Sequence, residues 1–298
     1  MKRKATIIAV IGPTASGKSA LAIEIARLVG GEIISADSRQ IYTGLNIGTG
    51  KVTKREMRGV PHHLLDVVSP KRTMSVVEYE RLATRAIQDI FKRGKVPIVC
   101  GGTGQYVDAV LTTASFPDVP PNATLRRALE KLSPEKLFKK LEKLDPVRAK
   151  NIDAQNPRRL IRAIEIATAL GSVPARTSAI PRYDALIIGL TLPKKILAER
   201  IHTRLLARMR QGMVAETRRL HEQGLSWKRM ESLGLEYRFI AEFLQNKTSR
   251  TEMTERLNIA IRQYAKRQMV WFKRNKKIKW FAPTDHKKVL STITKFLN

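Results

Sequence analysis

Across 298 residues the chain holds a single cysteine, Cys100, and only 26 acidic residues against 56 lysines and arginines. One cysteine excludes an internal disulfide framework and a cysteine-built zinc site, and it suits a reducing cytoplasm. No apolar run reaches the length needed to cross a bilayer, and the basic start Met1-Lys2-Arg3-Lys4 leads into a strand rather than a signal sequence, so no membrane role is expected. The shortage of acids leaves a net charge of +30, which favours a polyanionic partner. A lysine-rich lineage bias would raise charge evenly. Here the basic residues cluster on particular segments, which points to nucleic acid.

What is present is a substantial apolar fraction, 43%, and one decisive motif. Gly12-Pro13-Thr14-Ala15-Ser16-Gly17-Lys18-Ser19 fits the phosphate-loop pattern at every fixed position. By composition alone the pattern arises in about one chain in a hundred of this length. The residues before it are apolar and β-branched, and those after it have helical texture, which is the strand–loop–helix context the motif needs. Such a loop turns successive amides inward, adds the partial charge of a helix N-terminus, and supplies the Lys18 ammonium and a Ser19 hydroxyl suited to Mg²⁺. It binds a phosphate group without saying which.

Residues 5–11, 32–36 and 96–100 read as buried strands separated by helical segments, so the fold class is α/β, a phosphate-loop parallel sheet flanked by helices. An apolar group follows at 60–68, and residues 75–93 carry helical periodicity. From 117 to 183 only helical signals occur, with Ser133-Pro134, Asp145-Pro146 and Asn156-Pro157 as cap-and-proline starts and Asn122 or Thr124 as a further cap. This predicts an all-helical insertion domain at 117–183 between a first core part, 1–116, and a second, 184–298. Strand texture returns at 185–192 and again near 278–282. Two long basic helices, 194–223 and 252–274, are expected to close the chain. In the first, Arg200, Arg204 and Arg208 form a stripe beside the apolar one.

Asp37 ends the second strand and faces the phosphate-loop crevice, as magnesium contact, general base or turn cap. The third strand ends in Gly101-Gly102-Thr103-Gly104, where glycines allow a ligand close and the threonine offers a hydroxyl. His62 and His63 lack a third ligand and read as packing residues. Tyr42 and Trp271 read as core, and Arg200 and Arg208 as solvated or phosphate-facing charges.

The phosphate loop, Asp37-Ser38-Arg39-Gln40 with Tyr42 and Gly44, Ile47-Gly48-Thr49, His62-His63 with Asp66, Gly101-Gly102-Thr103 with Tyr106, Gln155-Asn156-Pro157-Arg158-Arg159, and the 263–272 segment occur in the order found in bacterial tRNA dimethylallyltransferases. The chain resembles that family from about residue 6 to 281. The resemblance implies transfer of a dimethylallyl group from dimethylallyl diphosphate to N6 of the adenosine 3′ to the anticodon, with Mg²⁺. It assigns the whole loop, Gly12 to Ser19, to the diphosphate rather than to ATP, with Ser19 on the metal. It implies Asp37, Thr103 and Arg204 as catalytic groups. It places Asp37 to Gln40, Thr103, Arg126 and Gln155 to Arg159 against the tRNA anticodon stem-loop. A cytoplasmic monomer is expected. Where the family usually has Ala-Lys-Pro after Ile-Gly-Thr, this chain has Gly50-Lys51-Val52, which predicts a looser loop beside Asp37. Residues 232–238 also depart from the family pattern. A phosphate-transferring kinase and a non-enzymatic RNA-binding switch are the alternatives that the loop and the charge leave open.

Overall fold

The computed structural model describes residues 5–113, 117–175 and 180–297. The expected boundary at residue 116 and the basic run before residue 5 lie outside them. The chain divides into two compact units, Met1–Thr113 with Pro181–Asn298, and Ala114–Ile180.

The first unit is built on six parallel strands, β1 (Thr6–Ile11), β2 (Glu32–Ser35), β3 (His62–His63), β4 (Pro97–Gly101), β5 (Asp184–Leu190) and β6 (Lys279–Phe281), in the order β3-β2-β4-β1-β5-β6. β1 lies between β4 and β5, with Val10 opposite Cys100 and Ile188. A parallel sheet covered on both faces needs apolar residues on both. On β1, Ile7, Ala9 and Ile11 enter one core and Ile8 and Val10 the other. Helices α1 (Lys18–Val29), α2 (Lys54–Met57), α3 (Val76–Lys92) and α4 (Gly104–Leu111) belong to the first half of this unit. Ser75 and Glu78 form a capping box that starts α3. Because the strands run the same way, the segments that leave β1, β2 and β4 emerge at one end of the sheet. These are the phosphate loop, the Asp37 turn and the 101–103 turn.

The second unit holds α5 (Ala123–Leu129), α6 (Pro134–Leu144), α7 (Pro146–Ala149) and α8 (Pro157–Leu170). Asn122, Ser133, Asp145 and Asn156 each cap the helix that follows, and proline occupies the first turn of the last three. Leu129, Leu137, Leu141, Leu160 and Ile164 make its own core. In the first unit the chain leaves and returns at neighbouring points. Thr112 and Pro181 form an antiparallel bridge, and Arg182 N–H donates to the Leu111 carbonyl at 3.0 Å.

The C-terminal half differs from the two-helix expectation. Residues 194–223 break at Gly212, whose φ of 97° no other residue adopts readily, into α9 (Lys194–Arg210) and α10 (Met213–Glu222). Two short helices, α11 (Trp227–Leu233) and α12 (Leu235–Leu244), precede α13 (Arg250–Phe272), and α14 (His286–Leu297) packs Val289 and Ile293 onto the far face of the sheet. Of residues 60–68 only two pair as a strand, because Leu64 and Asp66 have left-handed backbones, with φ of 64° and 56°.

Candidate active site

The phosphate loop closes the carboxyl end of β1. Gly17, with φ of 92°, turns the backbone into α1, and Ala15 holds a left-handed φ of 62°, a strain of about 1–2 kcal/mol that marks a specialised turn. The Lys18 ammonium folds back to donate to the Pro13 carbonyl at 3.3 Å. Burial pulls its pKa down, as do the guanidiniums of Arg204 and Arg208, while Cys100 and Asp37 pull it up. The Ser16 hydroxyl is buried and has no partner among the described residues. Cys100 lies beneath the loop, and burial pushes its thiol up to about 11, so it stays protonated and inert.

Asp37 serves in part as the turn cap. Its Oδ1 accepts from Arg39 N–H at 2.9 Å and Gln40 N–H at 3.4 Å, and its Oδ2 has no hydrogen-bond partner among the described residues. The carboxylate is half-buried, and its charge acts on Lys18, Arg204 and Tyr264, which places it in the same electrostatic pocket as the phosphate loop. Thr103 Oγ1 accepts from Ser38 N–H at 3.0 Å and donates to Ser38 Oγ at 3.3 Å. The β2 and β4 turns are thereby fastened together. Tyr264 of α13 stands beside Thr103, and burial pushes its hydroxyl up to about 12.

The glycines after β4 admit protein rather than ligand. A Cβ at Gly101 would strike the Ala36 backbone, at Gly102 the Gln268 amide, and at Gly104 the Trp271 ring. Trp271 in turn donates to Asp108 Oδ2 at 3.0 Å. Tyr42 is buried as expected and accepts from Met74 N–H at 3.1 Å. His62 and His63 bond the Val60 carbonyl and Glu32, and no cluster of three metal-ligating His, Cys, Asp or Glu residues occurs among the described residues.

Arg204 and Arg208 project from α9 over Gly50, where a Cβ would collide with both guanidiniums. Burial and the Arg208 charge lower the Arg204 pKa to about 10, so it remains a cation at neutral pH. Arg208 is buried and bonds the Gly48 carbonyl and Glu236 Oε1, each at 3.4 Å. Of the two readings of Arg208, solvated or phosphate-facing, the first is thus corrected, since α12 brings a carboxylate over it. Burial raises the Glu236 pKa, against the pull of Arg208. Gly50 is the glycine that departs from the family pattern, and the loop around it is not slack. Lys51 bonds Asp66 at 2.5 Å and the Tyr42 carbonyl at 2.8 Å, Gln40 donates to the Gly50 carbonyl at 3.2 Å, and Glu216 accepts from the amides of Asn46, Ile47 and Gly48. Beside the phosphate loop, Ala15 and Gly17 together with Ile196, Glu199, Arg200, Thr203, Arg204 and Ala207 of α9 line an open cavity of about 610 Å³.

The residues assigned to RNA fall into two kinds. Gln155, Arg158 and Arg159 are exposed at the start of α8, and neither arginine has an ion-pair partner among the described residues. Asn156 instead caps the helix and Pro157 begins it. Arg126 is committed within its own unit. Its fork grips the buried Glu165 at 2.7 and 2.8 Å, and although burial alone would push that carboxyl up, these bonds hold it below its ordinary value. Gln40 is likewise turned inward.

Gln268, Glu216 and Glu236 were not singled out from the sequence. Two of them carry a legible signal, a polar residue inside an apolar stripe. Gln268 follows Ile261 and Ala265, and Glu216 lies between Met213 and Leu220.

A family model described as IPP transferase matches residues 40–275. A tRNA dimethylallyltransferase 2 of Treponema denticola is 44% identical over 275 residues, covering 91% of this chain and 92% of the relative. A tRNA dimethylallyltransferase 1 of Geotalea uraniireducens is 43% identical over 268 residues, with 90% and 88% covered. The crystal structure of the tRNA isopentenylpyrophosphate transferase of Bacillus halodurans superposes with a TM-score of 0.75 at 33% identity, covering 99% of this chain and 97% of that one. A eukaryotic dimethylallyltransferase acting on tRNA gives a TM-score of 0.79 at 26% identity, covering 94% and 74%.

Proposed function

The chain belongs to the IPP transferase family, the tRNA dimethylallyltransferases, and on that footing we propose that its cleft moves a dimethylallyl group from dimethylallyl diphosphate to N6 of the adenosine 3′ to the anticodon, releasing diphosphate. The observation that supports this reading is a meeting of opposite charges: Lys18 of the phosphate loop and Arg204 both feel the Asp37 carboxylate, one oxygen of which has no hydrogen-bond partner among the described residues.

In this chemistry the bond from the allylic carbon to the diphosphate oxygen breaks as the bond from N6 to that carbon forms. Negative charge grows on the departing oxygen, which the later loop amides, Lys18 and Arg204 would stabilise. The amine sheds a proton as it becomes attached, and Asp37 Oδ2 would take it. Thr103 and Ser38 keep the Asp37 turn at its distance from the loop. The adenine must leave its stack to enter, which costs a few kcal/mol. Backbone contacts from exposed cations such as Arg158 and Arg159 offset that.

The side-chain oxygens at the cradle are the loop hydroxyls of Thr14, Ser16 and Ser19 and, beyond the loop, the Asp37 carboxylate. That donor set fits a Mg²⁺ that travels with the diphosphate and keeps most of its water, not a cage of protein ligands. Ser19 would hold it, and when bound it would neutralise charge on the leaving group. No helix among the described residues is long and apolar enough to cross a membrane. We propose a cytoplasmic monomer, and the single buried free cysteine suits a reducing compartment.

The test supplies purified protein with dimethylallyl diphosphate, Mg²⁺ and unmodified tRNA, and looks for prenylated adenosine by mass spectrometry. Turnover of ATP without any prenyl donor would instead make this a kinase. Tight RNA binding with no covalent change would make it a binding switch.

A further inference from the structure

Gln268 is a side-chain amide on α13 that is only 7% exposed and has no part in the chemistry just described. Its Oε1 accepts from Thr14 N–H at 2.8 Å, and its Nε2 donates to the Gly102 carbonyl at 2.8 Å. Thr14 lies in the diphosphate loop. Gly102 precedes Thr103, which holds Ser38, the neighbour of Asp37. A single planar group therefore spans from the loop that would carry the leaving group to the turn after β4, which Thr103 ties to the turn of the would-be base. The fit needs an acceptor at one end and a donor at the other, and the missing Cβ of Gly102 makes room for it. The amide is itself fixed, because Ile261, Ala265 and Phe272 anchor that face of α13 in the core.

Resting on the transferase reading, we propose that Gln268 is a positioning residue that locks the diphosphate loop to the Asp37 turn, so that departure and attack keep one registration. Because the Thr14 amide is committed to Gln268, the anion is left to the amides that follow it in the loop. Misplacement of reacting groups by about 1 Å costs on the order of a hundredfold in rate, so losing the lock should be felt in the transfer step more than in binding.

Two variants test this, each compared with the unaltered protein at every pH. Inorganic pyrophosphate binding with Mg²⁺ is measured by calorimetry, and single-turnover transfer is measured with saturating donor and tRNA. Gln268→Ala should bind pyrophosphate about tenfold more weakly and transfer on the order of a hundredfold more slowly. Gln268→Glu presents the same acceptor and donor while protonated, but as a carboxylate it faces the Gly102 oxygen with no hydrogen. Both of its ratios to the unaltered protein should recover as pH falls, a rescue that loosened packing alone would not produce. The lock is overturned if Gln268→Ala stays within about twofold on both measures, or if the Gln268→Glu ratios are flat with pH. Should the unaltered protein bind pyrophosphate yet transfer no prenyl group, the transferase reading falls, and the pyrophosphate measurements still judge the lock.

Discussion

Replacing Glu216 with alanine tests how the arginine pair is supported. Its carboxylate, 2% exposed, accepts from Asn46 N–H at 3.1 Å, Ile47 N–H at 2.8 Å, Gly48 N–H at 3.0 Å and the Tyr237 hydroxyl at 2.8 Å. Removing it strands those four donors, Gly48 N–H and the Tyr237 hydroxyl in a buried place and the amides of Asn46 and Ile47 in a part-buried one. Each unsatisfied donor costs about 1–3 kcal/mol, so even at one per group the loss is about 4 kcal/mol. That is a large share of the ~5–15 kcal/mol that holds a domain folded. Glu216→Gln keeps the shape and one oxygen but turns an NH₂ toward two donors, so about half the penalty, roughly 2 kcal/mol, is expected. Urea unfolding followed by circular dichroism measures both, with the midpoint falling and the slope unchanged. Pyrophosphate affinity should fall alongside, because residues 46–50 lie beneath Arg204 and Arg208. A loss below about 1 kcal/mol for Glu216→Ala would show that water replaces the carboxylate at little expense and would refute the reasoning.

Asp37→Asn keeps an oxygen for the Arg39 and Gln40 amides but cannot take a proton at Oδ2, so transfer should vanish while pyrophosphate binding persists; loss of that binding would move Asp37 to the phosphate site. Gly50→Ala drives a methyl into both guanidiniums, and calorimetry should show pyrophosphate binding weakened by about tenfold. Since burial brings the Arg204 pKa to about 10, and an anion beside it raises it again, pyrophosphate binding near pH 10 should take up protons that an Arg204→Gln variant does not, read as the dependence of binding heat on buffer. Arg158→Ala should weaken tRNA binding and reduce the salt slope by about one unit; an unchanged slope would remove that side chain from the RNA face.

The sheet was legible because its strands are short, apolar and β-branched, and because the phosphate loop names the strand before it and the helix after it. The helical insert was legible from its caps, each a side chain with a local backbone partner. The α10–α12 region was not, since a single glycine at 212 breaks an otherwise helical pattern and short helices carry little periodicity. At the site, local motifs pointed to Lys18 and Asp37. The burial of Arg208 was missed because its partner Glu236 lies 28 residues away. Gln268 joins groups more than 160 residues distant, a relation that no local spacing records.

The pinch where Thr112 meets Pro181 has an entropic consequence. Exit and return are side by side, so the core sees the excursion between them as one closed loop, whatever its content. Closing a loop ten times longer adds only about 2 kcal/mol of chain entropy. The excursion can therefore be lengthened, trimmed or exchanged at small entropic cost to the strands of the sheet.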